Sequence, residues 1–171
     1  MVERTLRTSP VTGIRVDPIL TAIMVSELLA PSPELWLVSP WISDVTTLDN
    51  SRGDYDALFP DPAARSYPLS DVLALLVAGG CQLTVITRPA EHNRAFLDRL
   101  SRSANGERLT IIEHPDVHEK TLCGKSWLLT GSMNFTIRGM QVNDEAVSYR
   151  VSDAAAAEAR MDFVHRWRDR V

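Results

Sequence analysis

Between residues 34 and 113 of this 171-residue chain, short apolar runs alternate with stretches of helical periodicity. No other feature restricts the architecture as much, because the two periods demand different elements in a fixed order. The first helix starts at Asp17-Pro18 and repeats Ile19, Leu20, Ile23, Met24 and Leu28 at helical spacing. Pro31 and Pro33 end it, and Glu34 to Ser39 reads as a buried strand. Ser70 opens a second helix with Val72, Leu73, Leu75 and Leu76 inward, closed by Gly79-Gly80. Gln82 to Thr87 is a strand, Pro89-Ala90 leads into a helix carrying Phe96, Leu97 and Leu100, and Leu109 to Glu113 is a strand again. Strands separated by helices pair in parallel, since the crossover returns the chain to its starting end. An α/β domain with a largely parallel sheet covered by helices is expected, and residues 1–171 suit one such domain.

Two segments depart from the alternation. Residues 43–67 are rich in Asp, Pro, Ser and Arg without clear periodicity, which predicts a long loop. It is either a mobile insertion or a substrate-guiding arm using Arg52 and Arg65. After residue 113, His118 to Cys123 and Ser126 to Thr130 are strand-like and joined by Gly124-Lys125, a two-residue hairpin signal. Val142 to Val151 supplies a last strand. Ser152-Asp153 then caps a helix predicted to place Met161, Val164, Trp167 and Val171 on one face.

Composition narrows the function classes. With a net charge of −4 and a pI near 5.5 the chain lacks an overall basic footprint, so any nucleic-acid contact must come from a local patch. Met1 to Thr12 lacks an apolar signal core, and no apolar run approaches the roughly 20 residues that span a bilayer, so a cytoplasmic protein without a membrane partner is expected. Cys81 and Cys123 sit beside strand-like runs and read as reduced core thiols. No CxxC, HExxH or calcium-loop pattern occurs, and neither metal nor organic cofactor is expected.

The chemistry-bearing stretch begins at His118. Alternation along a strand puts the His118 imidazole and the Lys120 ammonium on one face, and Gly131-Ser132-Met133-Asn134 can bring a hydroxyl and a carboxamide to its end. A neutral imidazole can attack phosphorus while Lys120 and Asn134 meet the oxygens that gather charge, which needs no metal. Glu145 can accept from the second ring nitrogen of His118, or pair at the surface with Arg138 or Arg150. Ser132 can bind phosphate or cap a helix, and Thr136 can touch ligand or bond locally.

At these residues the chain resembles the phospholipase D-like superfamily, whose signature is His-x-Lys, a downstream acid and Gly-Ser-x-Asn. Gly131 to Thr136, Asn143-Asp144-Glu145-Ala146 and Phe163 to Trp167 are similar to the later motifs of its small single-motif bacterial nucleases. The resemblance implies a mixed, largely parallel sheet flanked by helices on both faces. It also implies an endonuclease working through a covalent phosphohistidine, in a homodimer that joins two half-sites, each with His118, Lys120, Asn134 and Glu145. DNA is favoured over RNA as partner. In the place of the family's aspartate, seven residues after the histidine, stands Lys125, which can add charge near the substrate. That departure keeps a second possibility open: a catalytically weakened subunit that binds nucleic acid or partner proteins. A helicase or another subunit of a bacterial antiviral defence or restriction system would be such a partner.

The remaining aromatic and imidazole groups read mainly as structure. His92, His114 and His165 lie outside the signature, and Trp36 and Trp41 are expected to be buried near the sheet more readily than stacked on bases. A lipid substrate would call for an exposed apolar or basic amphipathic segment, and none stands out.

Overall fold

The computed structural model describes residues 2–59, 65–104 and 106–167. Its strands are β1 (Val2–Arg7), β2 (Glu34–Val38), β3 (Thr46–Asp49), β4 (Ser66–Pro68), β5 (Gln82–Thr87), β6 (Leu109–Glu113), β7 (Thr121–Cys123), β8 (Trp127–Gly131) and β9 (Ala146–Val151). Its α-helices are α1 (Asp17–Leu29), α2 (Leu69–Ala78), α3 (Glu91–Ser103), α4 (Ile137–Gln141) and α5 (Asp153–Trp167). Seven strands form one sheet in the order β1-β9-β8-β7-β2-β5-β6.

The mixed α/β class is the expected one, but the parallel part of the sheet is the smaller. Only β2 with β5 and β5 with β6 pair in parallel; the other four neighbouring pairs are antiparallel. The physical reason lies in the connections. Helices α2 and α3 carry the chain back to the starting edge, whereas a tight turn between β7 and β8 and the 132–145 connection with α4 between β8 and β9 each reverse it.

Helices cover both faces, and strand alternation decides which residues meet them. Leu35, Leu37, Leu83, Val85, Leu122 and Leu129 pack with Leu20, Leu73 and Phe96 of α1, α2 and α3. Trp36, Val38, Ile86, Cys123 and Leu128 meet Phe163 and Trp167 of α5 on the other side. Met161, expected inward, is 74% exposed; the buried stripe of α5 is Ala156, Phe163 and Trp167. Val171 lies outside the described residues. Both cysteines are buried and free, and burial pushes the Cys81 thiol up to about 12 and the Cys123 thiol up to about 11.

The expected loop over 43–67 contains structure. Strands β3 and β4 pair as a small separate sheet, with a 3₁₀ turn at Asp56–Leu58 between them; residues 60–64 lie outside the described set. Arg65 is paired with Asp71 and lies over the Tyr67 ring, which ties it to the fold. Asp17 is the first residue of α1 rather than its cap and pairs with Arg15. Strand β1 and the short α4 had no expectation behind them: β1 is largely exposed along its length, and α4 is a single turn and a half.

Candidate active site

Register brings the chemistry to one edge of the sheet. Val38 pairs with Ile86 and Thr121, Thr121 with Thr130, and Gly131 with Val147. The ends of β2, β5, β6 and β8 and the starts of β7 and β9 therefore share an edge, the usual place for sites in sheets with parallel strands. Residues 118–120, 131–134 and 145 all flank it.

His118 and Lys120 lie in extended chain just before β7 rather than within a strand. Alternation still holds locally, for Glu119 turns away to bind Thr121 Oγ1 at 2.9 Å and Arg166 of α5. His118 is exposed, and Lys120 is half-buried with its ammonium donating to the carbonyl of His118. The carbonyl of Lys120 accepts from Gly131 N–H at 3.3 Å, tethering the start of the Gly-Ser-x-Asn segment to the His-x-Lys segment. Glycine is required there: a Cβ on Gly131 would stand 2.2 Å from the carbonyl oxygen of Ala146.

Asn134 is held from behind by Gly139, where a Cβ would stand 2.4 Å from the Asn134 carbonyl oxygen. The Asn134 side-chain oxygen is buried and has no hydrogen-bond partner among the described residues. An unsatisfied buried acceptor is costly, so this oxygen can take a donor from water or from a bound group. Amide orientation is assigned from partners, and either end of the carboxamide faces the same spot.

Glu145 does not reach His118 through any described hydrogen bond. It accepts from Ser132 Oγ and from Asn143 Nδ2 at 3.2 Å. The alternative surface pairing with Arg150 is taken by Glu3. Ser132 neither caps a helix nor stands free: it donates to Glu145 and accepts from Ala146 N–H at 3.0 Å. Thr136 is the helix cap, its hydroxyl accepting from Gly139 N–H at 3.1 Å, so that side chain is engaged locally.

Lys125 is separated from the other site residues. It lies in the turn joining β7 to β8, at the opposite end of β7 from His118 and Lys120. Its backbone N–H donates to Ser32 Oγ at 2.9 Å and its carbonyl accepts from Arg160 at 2.9 Å. The hairpin thus sets Lys125 apart from His118 and Lys120 within one copy of the chain, which lends no support to the expectation of added charge beside them. Gly124 keeps a negative φ here and is needed for space, since a Cβ would stand 2.5 Å from Trp127 Nε1.

Two groups that sequence reasoning did not place at the site are there. Arg88 follows β5; its Nε donates to Val117 O at 2.9 Å, and its Nη2 lies 3.0 Å from Nδ1 and 2.9 Å from Nε2 of His118. A guanidinium only donates, so the imidazole nitrogen it meets acts as an acceptor. Thr8, after β1, accepts from Glu145 N–H at 2.9 Å and donates to Asn143 O at 3.0 Å, bracing the acidic segment. An arginine directly after a strand that ends at the site edge was the available signal for Arg88; Thr8 had none. His92 meets Ser43 Oγ at 3.0 Å, His114 packs on Trp167, and His165 is exposed. Among the described residues no three His, Cys, Asp or Glu side chains gather as a metal-binding group, and no helix is long and apolar enough to cross a membrane.

A family model described as "Cardiolipin synthase, PLD-like domain" matches residues 57–167. No curated protein matches. Among solved structures, a phospholipase D family member, Nuc from Salmonella typhimurium, superposes with a TM-score of 0.61 at 14% identity, over 99% of this chain and 94% of its own. NucT from Helicobacter pylori gives 0.61 at 9%, over 99% and 96%. TrmBL2, an archaeal chromatin protein whose structure is described as showing a novel mode of DNA binding, gives 0.59 at 13%, over 100% of this chain and 55% of its own. At these identities the likeness is one of fold.

Proposed function

Because this chain belongs to the phospholipase D-like family, a family of phosphodiester chemistry, we propose that it is a metal-independent nuclease whose active site is completed by a second copy of the chain. The observation that carries this is the exposed His118 imidazole, set at the sheet edge against a donor-only guanidinium and two residues from Lys120. In the proposed reaction the Arg88 guanidinium moves from His118 to the substrate, and the unprotonated nitrogen it releases attacks phosphorus, forming an N–P bond as the P–O bond to the leaving strand breaks. The leaving alkoxide takes a proton from His118 of the partner, which then removes one from water as that water displaces the first histidine. Lys120 and Asn134 meet the phosphoryl oxygens, and Glu145 acts through Ser132 to hold the 131–134 segment.

One copy supplies one imidazole, and the two-step reaction uses two. An isologous dimer brings identical groups face to face. Ile137, the first residue of α4, and Val142, directly after it, are 57% and 45% exposed and offer an apolar margin for that contact. Nucleic acid is preferred over lipid on the resemblance of Gly131 to Thr136 and Phe163 to Trp167 to the family's single-motif nucleases and on the likeness to TrmBL2, whose structure is described as showing a novel mode of DNA binding. DNA, an antiviral defence setting and a helicase-like partner are the finer parts of the same proposal. A weakened, purely binding subunit gains little support from Lys125, since that position lies at the far end of the hairpin.

Cleavage of labelled single- and double-stranded oligonucleotides in EDTA, by the parent and His118→Ala proteins, tests the proposal. EDTA-resistant cleavage that disappears with His118 is expected. Cleavage that survives the substitution, or none by a dimeric parent protein with either DNA or RNA, would overturn it.

A further inference from the structure

We propose that Trp41 and Arg88 form a nucleotide subsite beside His118, in which the indole stacks on an unpaired base and the guanidinium takes the phosphate next to the one being cleaved. This rests on the phosphodiesterase assignment above and adds a requirement for a base with an uncovered face.

Trp41 is 37% exposed although it sits between Pro40 and the fully buried Ile42. Its indole packs edge-on with His92 and beside Arg88 yet keeps over a third of its surface open next to the proposed reactive edge, whereas Trp36, on the preceding strand, is buried against Phe163. The turn that carries Trp41 is nevertheless rigidly held. Asn93, at 0% exposure, accepts from Ile42 N–H at 2.9 Å, and its amide nitrogen lies within 3.1 Å of Pro40 O, Thr87 Oγ1 and Arg88 O. One buried carboxamide thus fixes the turn after β2 and the turn after β5 together. Ser43 N–H donates to Phe135 O at 2.8 Å, joining the same turn to the Asn134 segment.

The result is a preorganised pair. The Arg88 guanidinium carbon lies 5.9 Å from the Trp41 ring centroid, and the ring of His92 meets the indole at 88°. Among the described residues Arg88 pairs with no carboxylate, whereas Arg65 and Arg99 share Asp71, and Arg150 and Arg160 bind Glu3 and Glu34. A planar cation without a counter-ion suits a phosphate, and an indole beside it suits a base, which together define a nucleotide. In a duplex both faces of each base are covered by its neighbours, so the stack is open to a single strand or an extruded base.

Binding measured with the His118→Ala protein, which prevents turnover, tests the subsite on a single-stranded oligonucleotide, its duplex, and single strands with one abasic residue moved along the sequence. Adding Trp41→Ala should weaken single-strand binding about tenfold and leave duplex binding unchanged, with Trp41→Phe retaining most of the affinity. One abasic position should cost about tenfold with Trp41 present and nothing without it, because the same stack is already missing. Arg88→Ala should lower the salt-dependence slope by about one, and Arg88→Lys should keep that slope while binding more weakly. Equal losses on single strand and duplex, abasic penalties that ignore Trp41, or a salt slope that ignores Arg88 would each overturn the subsite. Failure of the catalytic assignment would show separately, as cleavage by the parent indifferent to His118.

Discussion

The two ends of the β7–β8 hairpin are built to opposite ends. At the turn, polar groups are fully engaged: buried Glu27, 3% exposed, accepts from Trp127 Nε1 at 2.6 Å, Ser32 N–H at 2.7 Å and Ser32 Oγ at 2.8 Å. Ser32 in turn accepts from Lys125 N–H, and Arg160 binds the turn carbonyls while pairing with Glu34. At the other end His118 is exposed, Asn134 keeps an unpartnered oxygen, and Arg88 rests on an imidazole instead of a carboxylate. One end engages its polar groups in holding the fold and the other leaves them where the proposed site lies, with Lys125 at the first of these ends.

Substitutions at the two ends should separate activity from stability. His118→Ala should lower cleavage by at least about 10⁴-fold, since it removes a nucleophile and an acid at once, while the melting temperature stays put. A matching loss of melting temperature would erase the contrast. Glu27→Ala should do the reverse: three buried donors lose their acceptor, costing about 3 kcal/mol, or about 9 °C in a domain of this size, while kcat of the folded fraction holds. Thermal denaturation followed by circular dichroism checks this, and an unchanged transition would contradict it.

Gly139→Ala sharpens the comparison from inside the site. A methyl in contact with the Asn134 backbone must push that residue, so cleavage should fall about tenfold to a hundredfold at a stability cost of roughly 1–2 kcal/mol. Parent-like kinetics would mean that Asn134 is not held from behind. The buried thiols give a smaller, pH-dependent effect. They keep their protons to about 11 and about 12, whereas an unfolded chain releases them near 9.0, so above that pH the unfolded state binds fewer protons. Stability from this source should be complete below pH 9.0 and decline as pH rises toward 11, and Cys81→Ala with Cys123→Ala should flatten the decline in denaturant titrations. Lys125→Ala should matter least, within about 0.5 kcal/mol and with cleavage unchanged. A large loss of activity there would join the two ends after all.

Much of the fold was legible because its signals are local. The bounds of β5 and β6 and the helices closed by Gly79-Gly80 or opened by Ser152-Asp153 follow from period and caps. The parallel proportion of the sheet was not, since it depends on how the connections route β7 to β9 back against β2. The segment holding β3 and β4 read as loop because its pairing partner lies some twenty residues away, outside any local window. Met161 failed by one step of helical phase, which packing against Trp36 settles and sequence spacing does not.

The candidate site divides along the same line. The sequence by itself determined which chemical groups are present and in what order: an imidazole two residues from an ammonium, then glycine, serine and asparagine on a turn. Spacing along one chain is enough for that, since neighbours in sequence cannot be far apart. Only the tertiary structure decided that Arg88 meets His118, that Glu145 binds Ser132, that Trp41 is partly exposed and that Lys125 lies at the far end of the hairpin. Arg88 and His118 are 30 positions apart and Ser132 and Glu145 are 13 apart, and strand register with a buried Asn93, rather than local preference, sets where such side chains end.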